Sequence, residues 1–114
     1  MMSLSNKVAP IVMTSIDSAT FTGNYQLLSG PAGIAQALIM MQISNDSDEN
    51  ITISYDGVND NDFLLAGLDR ELQFQTNSSE PGKVAMLPKG TKVYVKGTAG
   101  SGSVYLAGWY ISKQ

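Results

Sequence analysis

The sequence predicts an all-β domain, an antiparallel two-layer β-sandwich or jelly roll of seven to eight short strands. Three observations carry this expectation. Gly, Pro, Asn, Asp and Ser cluster every eight to twelve residues, between short apolar or alternating runs. No stretch sustains an apolar period of 3.6 residues closed by helix caps. Period-two alternation is plain at 51–56, 71–75 and 92–96.

Taken in order, residues 1–10 read as an extended N-terminal arm, and residues 11–114 as one sandwich domain. A first strand is expected at 11–15 and a second at 25–28, followed by the turn Ser29-Gly30-Pro31. Residues 36–44 read as a long strand. Both of its faces are largely apolar (Ala37, Ile39, Met41 and Ile43 against Leu38, Met40 and Gln42), which suits a sheet interior. Residues 45–49 are dense in side chains that bond their own backbone, so a turn is expected there.

Ile51, Ile53 and Tyr55 then alternate with Thr52, Ser54 and Asp56 as a half-buried strand. A loop over 58–62 leads into a short strand at 63–65. Leu72 and Phe74 mark the buried face of the next strand, and a polar stretch follows over 76–82. In the last third, Lys92, Tyr94 and Lys96 alternate with Val93 and Val95. The glycine-bearing segment 97–102 comes next, and 103–111 reads as another strand, with Val104, Leu106 and Tyr110 on one face and Tyr105, Trp109 and Ile111 on the other. The two strands are expected to pair as a hairpin over 91–111, the glycines supplying positive φ in the connection.

Composition narrows the function classes. The 114 residues hold no Cys and no His, so disulfides, thiolate metal sites and imidazole acid–base chemistry are excluded. The longest apolar run is too short to cross a bilayer, and the N-terminus has no secretory pattern, so no membrane association is expected. Charge is uneven along the chain. Residues 1–69 hold one base against eight acids, a net of −7, and residues 70–114 hold six bases against two acids, a net of +4. This asymmetry fits solvated loops or complementarity between neighbouring copies. With no basic patch interleaved with aromatics, nucleic-acid binding is not expected.

The candidate chemical motifs fail on spacing. The acidic run from Asp46 lacks the Gly and Glu of a calcium-binding EF-hand, whose sixth and twelfth positions fall on Ile51 and Gly57. The glycines of 97–102 are not followed by Lys-Ser or Lys-Thr and lie between strands, so they do not form a phosphate loop. Serines are present, but no His can serve as their base. The expectation is a non-enzymatic protein without cofactor or metal. Its candidate interface comprises Tyr94, Tyr105, Trp109 and Tyr110 with Lys92 and Lys96, rings and bases suited to protein contacts or to a carbohydrate platform.

The segment Leu87-Pro88-Lys89-Gly90-Thr91-Lys92-Val93-Tyr94-Val95-Lys96-Gly97, continued by Val104-Tyr105-Leu106-Ala107-Gly108-Trp109-Tyr110, resembles the endings of small virion proteins of tailed bacteriophages. The segment from Ile43 to Gly57, with Asp62-Phe63 after it, resembles the middle of the same group. Together these cover roughly half of the chain. The resemblance implies a structural protein located in the virion and assembled in the host cytoplasm. Within that group, a capsid decoration (cement) protein is expected, binding the major capsid protein or other virion proteins and acting as a dimer or trimer. A neck, tail or fibre-associated protein, or a carbohydrate- or receptor-binding module, is the alternative.

Overall fold

The computed structural model describes residues 6–74 and 86–113. Among them, nine strands form two antiparallel sheets packed as a sandwich, as expected. The strands are β1 (Asn6–Pro10), β2 (Thr14–Asp17), β3 (Gln26–Leu27), β4 (Met40–Ser47), β5 (Ile51–Ser54), β6 (Asp62–Leu64), β7 (Asp69–Gln73), β8 (Tyr94–Gly97) and β9 (Gly102–Lys113). The larger sheet runs β1-β9-β4-β7, with β2 also on β9, and the smaller runs β3-β8-β5-β6.

The inner faces follow from alternation. Met41 and Ile43 of β4, and Val104 and Leu106 of β9, face Ile51 and Ile53 of β5 and Val95 of β8, all essentially without solvent exposure. Phe21, Leu28, Ile34, Leu38, Leu64 and Val93 close the core. Each such side chain contributes about 1.5–3 kcal/mol of burial, which is the main force holding the sheets together. Leu72 and Phe74 pack against this core, as their spacing predicts.

Three expectations about strands need correction. The first concerns the predicted 91–111 hairpin. β8 pairs with β3 and β5 in the smaller sheet, whereas β9 pairs with β1, β2 and β4 in the larger. The glycine-bearing connection is therefore an arch from one sheet to the other. It lies beside the β4–β5 connection, which crosses in the opposite direction: Ser101 N donates to Asp48 Oδ1 at 2.9 Å and Asp48 N to Ser101 O at 3.0 Å. Two alternating strands around glycines read alike in either arrangement. Here each strand buries one face, and the two faces meet across the core instead of lying side by side.

The second correction concerns 36–44. The strand begins only at Met40 and runs through Ser47, into the polar residues 45–49 read as a turn, so that the chain bends only at 48–49. Upstream of it, the backbone changes partners. Leu38 exchanges both hydrogen bonds with Leu87, and Ile39 N donates to Trp109 O. Residues 34–39 pass from one sheet to the other, burying Ile34 and Leu38 in the core while Ala35 and Gln36 stay exposed.

The third correction concerns 11–15. Pro10 opposes Trp109 and Thr14 opposes Leu106, so three residues face two and the strand bulges. Ile11 N still donates to Gly108 O at 2.9 Å, while Val12 (89% exposed) and Met13 turn outward. β1 and β2 are thus one strand interrupted by a bulge. Residues 6–10, part of the expected extended N-terminal arm, pair with the molecule's own β9; residues 1–5 and the polar stretch 76–82 lie outside the described residues.

Candidate interaction surfaces

The six candidate interface residues do not form one site. Tyr94 and Lys96 lie on the outer face of the smaller sheet, alternating with the inward Val93 and Val95, and Lys92 is exposed just before β8. Tyr105 and Trp109 lie on the outer face of the larger sheet, opposite Ser44 and Met40 of β4. Tyr110 faces inward and packs on the core. Because the hairpin is an arch, the four rings are spread over three surfaces and share no platform.

Tyr94 and Lys96 are joined by residues that spacing alone did not single out. Tyr25, just before β3, meets Tyr94 edge-to-face, with ring centroids 6.5 Å apart at 74°. Lys96 Nζ sits 4.6 Å from the Tyr25 ring centroid and 3.2 Å from Asp60 Oδ1. The Tyr25 hydroxyl donates to the same carboxylate oxygen. Burial, and then the hydrogen bond to Asp60, push the Tyr25 hydroxyl up to about 12. The hydrogen bonds from Tyr25 and Lys96 hold Asp60 below the ordinary carboxylate range. The group fastens the 56–61 loop to β8.

The acidic loops are likewise spent on their own backbone. The Asp56 carboxylate accepts hydrogen bonds from Asn59 N and Val58 N, both at 2.8 Å, from Asn59 Nδ2 at 2.6 Å and from Ser54 Oγ at 2.9 Å. These bonds hold it well below its usual range. Asp62 receives Arg70 of the other sheet. Arg70 Nη2 donates to Oδ1 at 3.1 Å, while Nε lies 3.0 Å from Oδ2 without the alignment of a hydrogen bond. Among the described residues, no three acidic side chains converge as a metal cage, and no helix is long and apolar enough to cross a membrane.

Apolar side chains remain on the surface at both ends of β4. Near its Asn45 end, Phe63 (60% exposed), Leu65 and Leu68 stand out around the β6–β7 turn, where Leu68 O accepts from Asn45 N. At its Met40 end, Val8 (58% exposed) and Trp109 (37% exposed) border a cleft of about 400 Å³, closed by Ile39, Met40 and Gln73. A second cleft, of about 360 Å³, opens beside the bulge between Ile11, Ile34 and Tyr110; the Thr14 hydroxyl, on its wall, is buried without a partner among the described residues. Comparison with protein-family models, curated proteins and solved structures finds no match to this chain.

Proposed function

We propose that this chain is a non-enzymatic structural component of a bacteriophage particle, and within that class a capsid decoration protein that binds and stabilises neighbouring shell subunits. One observation carries the reading: the carboxylates of the 56–62 loop are committed to holding the fold, while large apolar side chains stand exposed at both ends of β4. Asp56, Asp60 and Asp62 each serve a loop or a cross-sheet contact. Phe63, Leu65, Leu68, Val8 and Trp109 are left to solvent. An arrangement of this kind suits binding to a partner surface, and the shifted groups among the described residues, Tyr25, Asp56 and Asp60, owe their shifts chiefly to bonds that hold the loops and to burial. The resemblance of 43–57 and 87–110 to virion proteins supplies the partner class.

A protein that binds only the assembled shell stabilises it by mass action. Particles assembled without this chain are expected to burst at a lower temperature, and adding the purified chain back is expected to restore the loss. The paired change Leu65→Ser and Leu68→Ser, at the β6–β7 turn, is expected to weaken that rescue. Burst temperatures indifferent to the protein would overturn the decoration reading. A density map of the intact particle that placed the chain at the neck would replace it with the neck-protein alternative.

A further inference from the structure

We propose that two copies of this chain pair about a two-fold axis, outer face to outer face, at the β1–β9 end of the larger sheet. Directly opposed residues of antiparallel strands share a face, so the register orders this surface. Val8 lies opposite Ile111, and Pro10, Trp109 and Met40 follow in one row. Beyond them come Gln42 and Ala107, then Ser44 and Tyr105. The acids Asp17, Asp46, Asp69 and Glu71 occupy the remainder of the same face. The face thus runs from the Asn6–Lys113 register pair at its rim, through this apolar stretch, to an acidic end.

This polarity selects the occupant. A two-fold contact places the same patch on itself, and the stretch formed by Val8, Ile111, Pro10, Trp109 and Met40, which holds no charged residue, is self-complementary. With the axis beside Trp109, the acidic ends of the two copies point away from each other. Sliding one copy along the other would bring its acids over the partner's Trp109 and Val8, stripping them of water without a counter-charge. The cleft of about 400 Å³ between Trp109 and Gln73 gives the partner's ribbon a recess to enter.

Two further features point to face-to-face contact. The free edge of β1 and β2 carries Pro10, which has no N–H to donate, and is broken by the bulge, so adding a strand there is disfavoured. Past Met40, β4 no longer flanks β9, and residues 110–113 pair only with β1. A two-stranded ribbon is marginal by itself in water, and a second copy covering Val8 and Ile111 would support it. The patch is small beside the roughly 20–30 residues a side of a stable interface, so a dimer in the micromolar range is expected.

The inference does not depend on the virion reading, because the purified chain tests it. Sedimentation equilibrium from about 1 µM to about 1 mM should show a monomer converting to a dimer. Trp109 is the single tryptophan, so its emission should shift to the red on dilution in step with the loss of dimer. Val8→Asp should remain monomeric throughout, with red-shifted emission and at least a hundredfold weaker association, while circular dichroism confirms its fold. The Leu65→Ser, Leu68→Ser protein should dimerise like the parent. Three results would each overturn the proposal: a parent chain that stays monomeric, one that forms trimers, or a folded Val8→Asp protein that dimerises as readily as the parent.

Discussion

Asn45 Nδ2 donates to the carbonyl oxygen of Leu64 at 3.2 Å, joining a strand of the larger sheet to one of the smaller through the edge of the core. The same amide donates to Glu49 O at 2.8 Å, and its oxygen accepts from Ser47 Oγ at 2.6 Å and Ser47 N at 3.2 Å. Asn45 is 1% exposed, and its side chain is fully satisfied. Replacing it with Ala takes this donor from the Leu64 carbonyl and the acceptor from Ser47 N, and leaves the Ser47 hydroxyl only Glu49 O, at 3.0 Å. The expected loss is about 3 kcal/mol, measured by urea unfolding. Asn45→Asp should be comparably damaging, since it removes the donor and brings a charge into the core edge.

Gly33 tests the packing of the 30–34 turn on the 88–91 turn. Its φ is +78°, and a Cβ there would overlap the Gly90 carbonyl and stand 2.9 Å from Thr91 O. Those obstacles are backbone, which cannot step aside, and Gly90 N is itself bonded to Ile34 O at 2.8 Å. Gly33→Ala should therefore cost about 3 kcal/mol or more, read as a lowered unfolding midpoint. Gly23→Ala also has positive φ but meets open space. It should cost only about 1 kcal/mol.

Stability should fall in acid through Asp56 and Asp60. Both carboxyls are held below their ordinary values in the folded protein. The folded state therefore binds fewer protons than the unfolded chain, and stability contributed above the ordinary carboxylate range is lost as pH falls through the lower folded values. Thermal midpoints measured from neutral to acidic pH should decline, and Asp56→Asn should flatten part of that decline. An unaltered acid limb in this variant would discount the loop bonds as its source.

Tyr25 makes the converse prediction at high pH. Its hydroxyl is pushed from 10 up to about 12, so its contribution is intact below about 10 and fades as pH rises towards 12. Ultraviolet titration of the tyrosines should show a late step that Tyr25→Phe removes. Burial raises Tyr55 as well, so a residual late component is expected in the variant.

The Arg70–Asp62 pair links β7 to β6 across the two sheets. Its side chains are 41% and 27% exposed, which places it between a surface and a buried ion pair. A double-mutant cycle with Arg70→Met and Asp62→Asn should give a coupling of about 1 kcal/mol, reduced by added salt.

The sequence by itself determined the class of fold and most of the inner face. Val93, Val95, Ile51, Ile53, Val104, Leu106, Leu72 and Phe74 alternate with polar or exposed partners, and a strand with one wet side cannot hide that period. Only the tertiary structure decided which strands lie side by side. A glycine-rich connection between two alternating strands fits a hairpin and a sheet-crossing arch equally. The choice rests on partners distant in sequence, such as β4 against β9 and β5 against β8. It was also decisive for residues whose local signal misleads. The polar Asn45 and Ser47 are buried because one network satisfies them, and the apolar Ile34 and Leu38 belong to a segment that crosses the sandwich before the strand begins. The candidate interface scattered for the same reason: Tyr94 and Trp109 are fifteen residues apart in the chain but on opposite outer faces of the molecule.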